Sequence, residues 1–166
     1  MHQPTDKRLE EGELVLGEIT PLREGQFIQL CRTAVLGKPS PLVVEKYDML
    51  LRALDHALEP IKAVAPAARI SRNMNKVISD AGYAEYCYPP YMRARGHGLG
   101  AGSIAPGGTI DDNSKETLES QQVIIVHPNQ YLPETGYLAC GETVMVTDTG
   151  VKRLAQTETK LYVKEV

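Results

Sequence analysis

Two histidines stand where an imidazole could do chemistry. His97 lies inside Gly96-His97-Gly98-Leu99-Gly100-Ala101-Gly102, a glycine-dense loop, and His127 closes the apolar run 122–127. A neutral imidazole with a pKa near ~6.5 can take a proton from water at cytoplasmic pH, and it is also a common zinc ligand. The plainer roles are a turn for His97, with its ring bonded to backbone, and a satisfied, semi-buried ring for His127. The three cysteines, Cys31, Cys87 and Cys140, are odd in number and form no C-x-x-C pair. Neither a disulfide framework nor a zinc knuckle is expected from them, and a reducing cytoplasm is the expected compartment.

The elements that must carry these residues are set by periodicity. Residues 13–16 and 26–36 read as strands, with Glu24-Gly25 as the turn between them. Ser40-Pro41 reads as a helix start, with Ser as cap and Pro in the first turn. Val43, Tyr47, Leu50, Leu51, Leu54, Leu58 and Ile61 then form one apolar stripe that Pro60 should end. A second helix carries Ile70, Met74, Val77, Ile78 and Ala81 and stops at Gly82. After the glycine loop come strands at 122–127, 142–147 and 161–164, with a tight turn at Asp148-Thr149-Gly150. Hairpin, two helices, then strands is an α+β order, with the helices packed on one face of a mainly antiparallel sheet.

The bulk composition narrows the function. The chain has 166 residues, enough for one compact domain, with 42% apolar and 23% charged residues. A formal net charge of −3 leaves no basic footprint for nucleic acid and no polybasic membrane patch. No apolar run approaches the roughly 20 residues of a membrane span. The polar start, Met1 to Arg8, has no signal-peptide core. Tyr86, Tyr88 and Tyr91 cluster around Pro89-Pro90, which reads as a loop.

Joined to the segment 127–150, the glycine loop becomes specific. Gly96-His97-Gly98-Leu99-Gly100 and the run from His127 to Gly150 resemble, without a gap, two motifs of the creatinase, methionyl- and Xaa-Pro-aminopeptidase family. Those are G-H-G-I/L-G and E-P-G-x-Y-x-P-x-x-G-G-x-R-x-E-D-T-V-x-V-T-x-x-G. The front end is similar to the family too, in Gly12 to Glu18 and in Gln29 to Gly37. The resemblance implies the α+β pita-bread fold over residues 12–166 behind a tail at 1–11. It also implies a partial domain whose upstream part is missing.

Family peptidases hold two metal ions with two Asp, one His and two Glu, and the ions share and activate a water. Carried over position by position, those ligands fall on Glu18, Gln29, His97, His127 and Gly141, and a further family histidine falls on Ile104. One carboxylate and two imidazoles cannot bridge two divalent ions, so no metal centre and no cofactor are expected. By donor type alone, a single zinc on His97, His127 and Glu18 is the remaining metal option.

Family members such as creatinase and ectoine hydrolase work without metal, using His and carboxylate groups in the same pocket. The resemblance therefore implies a metal-independent hydrolase acting on C–N bonds of a small amino-acid-like substrate. In this reading His97 and His127 are catalytic, and Glu18, Gln29, Arg32 and Tyr131 bind substrate, with Arg32 holding a carboxylate if it faces inward. A Xaa-Pro aminopeptidase or dipeptidase, and a non-catalytic peptide-docking module, are the alternatives. Expected partners are a small molecule or short peptide and, by default, a second copy in a homodimer; no nucleic acid and no membrane are expected. Strand alternation is expected to turn Cys31, Cys140 and Glu142 away from the pocket.

Overall fold

The computed structural model of the chain describes residues 5–102, 104 and 107–166, so the first four residues of the expected tail lie outside the described residues. Twelve strands and two α-helices succeed one another among the described residues. The strands β1 (Leu14–Ile19), β2 (Leu22–Arg23), β3 (Gln26–Phe27) and β4 (Leu30–Leu36) come first. The helices α1 (Pro41–Leu58) and α2 (Ala68–Ile78) come next. Then come β5 (Gly96–Leu99), β6 (Thr109–Ile110), β7 (Val123–Val126), β8 (Gln130–Leu132) and β9 (Gly136–Leu138). The last are β10 (Glu142–Val146), β11 (Val151–Arg153) and β12 (Tyr162–Lys164).

The front hairpin is shorter than its sequence suggests. Glu24 and Gly25 both take positive φ, at 52° and 83°, as a two-residue turn requires. The expected strand 26–36 divides at Ile28-Gln29, because the Gln29 N–H leaves the ladder and donates to the Thr143 hydroxyl at 2.9 Å. β4 then runs antiparallel to β1, with Glu18 opposite Cys31 and Gly17 opposite Arg32.

α1 begins as its residues dictate. The Ser40 hydroxyl accepts from the Val43 N–H at 3.2 Å and Pro41 fills the first turn, a cap worth about 1 kcal/mol. The helix ends at Leu58, two residues before Pro60. α2 ends at Ile78 rather than running to Gly82; the chain continues as a wider π turn over Ser79–Tyr83, in which Gly82 has φ 94°.

One sheet has the strand order β11-β10-β7-β5-β6, and another has β1-β4-β12. The pairing of Cys31 with Gly141 stitches them together, with the Gly141 N–H donating to the Cys31 carbonyl at 3.0 Å. Among the described strands every pairing is antiparallel except that of β12 with β4. Both helices pack on one face, where Ile124, Val126, Val144 and Val146 meet Leu50, Leu54, Ile70 and Met74 in a single core. This is the mainly antiparallel α+β arrangement with helices on one side. Because strand residues alternate, Ile125 and His127 belong to the face away from the helices, and His97 pairs directly with Ile125. Among the described residues no helix is long and apolar enough to cross a membrane.

Candidate active site

On the face away from the helices lies a cavity of about 560 Å³. Glu18 enters it from β1, His97 from β5 and His127 from the end of β7. Tyr91, Met92, Arg93, Thr109, Asn129 and Tyr137 complete much of its wall. Three of the residues singled out by sequence thus share one cavity although they are far apart in the chain.

Close backbone packing fixes His97. A Cβ on the preceding Gly96 would meet the Ile125 carbonyl oxygen at 2.3 Å, so only glycine lets β5 pack this tightly on β7. The His97 Nδ1 lies 2.9 Å from the Gly98 carbonyl oxygen. A carbonyl can only accept, so Nδ1 carries the proton and Nε2 keeps its lone pair in the neutral ring.

His127 is the complement. Its Nδ1 is buried without a hydrogen-bond partner among the described residues. Burial, reinforced by the neighbouring His97, lowers the His127 pKa to about 4. The two rings meet edge to face with centroids 5.7 Å apart.

Gln29 does not line the cavity. It is 4% exposed, and its amide donates to the Glu18 carboxylate at 2.9 Å and to the Thr20 hydroxyl at 3.2 Å, which orients Glu18. Tyr131 also stands outside the wall and stacks on Tyr91 at 5.8 Å. Tyr91 also meets Tyr86, which meets Tyr83 edge to face, so two members of the tyrosine cluster read as a loop join an aromatic group beside the cavity while Tyr88 stays exposed.

Arg32 does not face the cavity. Its guanidinium makes an ion pair with the almost fully buried Glu142 and donates to the Thr157 carbonyl at 3.1 Å. Its place in β4, one residue past Cys31, turns it to the other face. The same alternation corrects the expectation for Cys31. Two residues after Gln29, it shares the face of Glu18, with Sγ 4.0 Å from the Glu18 carboxylate and burial raising its pKa to about 11. Cys140, by contrast, is in the core and its thiol is pushed up to about 12 by burial. Glu142 faces away from the cavity, toward Arg32.

Sequence reasoning missed Arg93, Tyr91, Tyr137 and Asn129 as wall residues. Parity with His97 points at Arg93 but equally at Arg95, which is fully buried and bonded to Asn75 and Gln130. The segment before β5 is not a strand, so alternation cannot separate the two.

The donor set does not suit a pair of divalent ions. Among the described residues no group of three or more His, Cys, Asp or Glu side chains is arranged to hold a metal. Gly141 has no side chain, and a Cβ there would stand 2.7 Å from the His127 Cβ. Gln29 offers a neutral amide already spent on Glu18.

A family model described as metallopeptidase family M24 matches residues 1–148. The chain is 31% identical over 157 residues to the Xaa-Pro dipeptidase of Pyrococcus furiosus, covering 95% of this chain and 44% of that protein. The solved structure of the prolidase from Pyrococcus furiosus superposes with a TM-score of 0.83 at 30% identity, over 93% of this chain and 44% of that one. The X-Pro aminopeptidase from Thermotoga maritima MSB8 superposes with a TM-score of 0.87 at 24% identity, over 96% of this chain and 44% of that one, a likeness of fold. The chain thus spans less than half the length of these relatives.

Proposed function

This chain belongs to metallopeptidase family M24, and from that premise we propose a metal-independent hydrolase site for C–N bonds of a small amino-acid-like substrate. The observation that carries the reading is a pair of imidazoles in one cavity wall, 5.7 Å apart, with unlike surroundings. His97 Nδ1 lies against the Gly98 carbonyl, which leaves Nε2 as a base, and His127 Nδ1 has no partner among the described residues, so in this reading its ring proton sits on Nε2. A base and a hydrogen-bond donor side by side in one cavity wall are what addition of water to a carbonyl or amidine carbon needs.

In this mechanism His97 Nε2 takes a proton from water as the water oxygen bonds to the substrate carbon. His127, neutral because burial holds its pKa to about 4, donates to the oxygen or nitrogen that gains electron density. The C–N bond then breaks and the proton held on His97 passes to the departing nitrogen, which restores the base. Glu18, fixed by Gln29, binds a cationic amine or amidine end of the substrate. The donors present do not fit the family's metal pair, so no step passes through a metal.

Single-turnover assays with small amino-acid amides, guanidino acids and Xaa-Pro dipeptides, in the presence of chelator, test the proposal. Product formation should survive chelation and fall by ~10²–10⁴-fold in His97→Ala. Activity that appears only on adding manganese or cobalt would instead make the chain a metal-dependent Xaa-Pro peptidase.

A further inference from the structure

Three arginines lie near the cavity, and they differ in what holds them. Arg32 is committed to Glu142. Arg95 has no exposed surface; its Nε donates to Asn75 at 2.7 Å and its Nη2 to Gln130 at 2.9 Å, and burial lowers its pKa to about 10. Arg93 lines the cavity, is exposed, and makes no hydrogen bond or ion pair among the described residues. Its five N–H donors are therefore free to meet a ligand.

The rest of the wall says which ligand. Glu18 and Arg93 are the two side chains of opposite fixed charge in it, and His127 is neutral at physiological pH. Tyr91 and Tyr137 supply apolar faces with polar tips. A guanidinium matches a carboxylate through two parallel N–H···O bonds, which a lysine cannot reproduce. We propose that Arg93 is the specificity-determining anchor for a free carboxylate, so that the site takes small zwitterions bound by their cationic end at Glu18 and their carboxylate at Arg93. The volume, about 560 Å³, suits a molecule of dipeptide size. This assignment rests on the hydrolase reading for which cavity the substrate enters, and it gives Arg93 the role that Arg32 cannot fill.

Calorimetric titration with matched probes tests it: glycyl-L-proline against glycyl-L-prolinamide, and creatine against creatine ethyl ester. Wild type should bind the acid of at least one pair ~10-fold or more tightly than its partner, the range of a charged hydrogen bond. Arg93→Ala should erase the difference, and Arg93→Lys should restore part of it. Melting curves identify any variant that fails to fold, in which case Arg93→Gln replaces Arg93→Ala. The proposal is overturned if acid and uncharged partner bind alike, if Arg93→Ala keeps the preference, or if neither acid binds. Acid-selective, Arg93-dependent binding with no product would leave the anchor standing and remove the hydrolase. Turnover indifferent to Arg93 would do the reverse.

Discussion

Gly141 and His127 stand directly across from one another where β7 and β10 meet, so close that a Cβ on Gly141 would be 2.7 Å from the Cβ of His127. The imidazole and the missing side chain are one steric arrangement. Where the family resemblance expects two glutamates reaching for metal, this chain has one ring lodged against a bare backbone. The two positions are thus in direct steric contact.

That linkage is measurable. Gly141→Ala should destabilise the fold by ~1–3 kcal/mol through overpacking. The Cys31 Cβ, 3.2 Å from the same point, limits relaxation. Gly141→Ala combined with His127→Gly should recover much of the loss. Denaturant unfolding of the four proteins gives the coupling energy, and additive effects within ~0.5 kcal/mol would show that the two positions are independent.

The buried His127 ring sets an acid limit to stability. Its folded pKa, about 4, lies below the unfolded value of ~6.5, so between those values the unfolded chain binds the extra proton. Its contribution is therefore intact above pH ~6.5 and is lost as pH falls toward 4, by up to ~3 kcal/mol. His127→Gln should flatten that part of the stability curve. An unchanged acid limb in the variant would mean that His127 is not buried in its neutral form.

Arg32 and Glu142 are expected to be structural partners. Glu142→Gln leaves a guanidinium that is largely buried without its carboxylate and should cost ~3 kcal/mol or more. Replacing both with methionine should cost less than either single change, because neither charge is then stranded. The double variant, if folded, should bind the zwitterionic probes as wild type does. A specific loss of carboxylate binding would return Arg32 to the site.

Both helix stripes, the Ser40 cap and the hairpin turn were legible in the chain, because each depends on neighbours a few residues away, whereas Gly96–Leu99, read as part of a glycine loop, is strand β5, held between β7 and β6. The pita-bread fold was legible for another reason: the motif from His127 to Gly150 is long and ungapped. The faces of single residues were not all legible. Parity places Glu142 correctly, and the two-residue spacing from Gln29 puts Cys31 on the face of Glu18, against the expectation that it turns away. Arg93 and Arg95 share the same parity, yet one faces the cavity and the other is sealed among Asn75, Asn129 and Gln130. Only the approach of distant strands decides that difference, since whether a guanidinium finds buried acceptors depends on what the β7–β8 segment brings beside it. The two histidines divide along the same line. His97 Nδ1 finds its carbonyl on the adjacent Gly98, a contact the local chain supplies, whereas the burial that lowers the His127 pKa exists only once distant strands close over the ring.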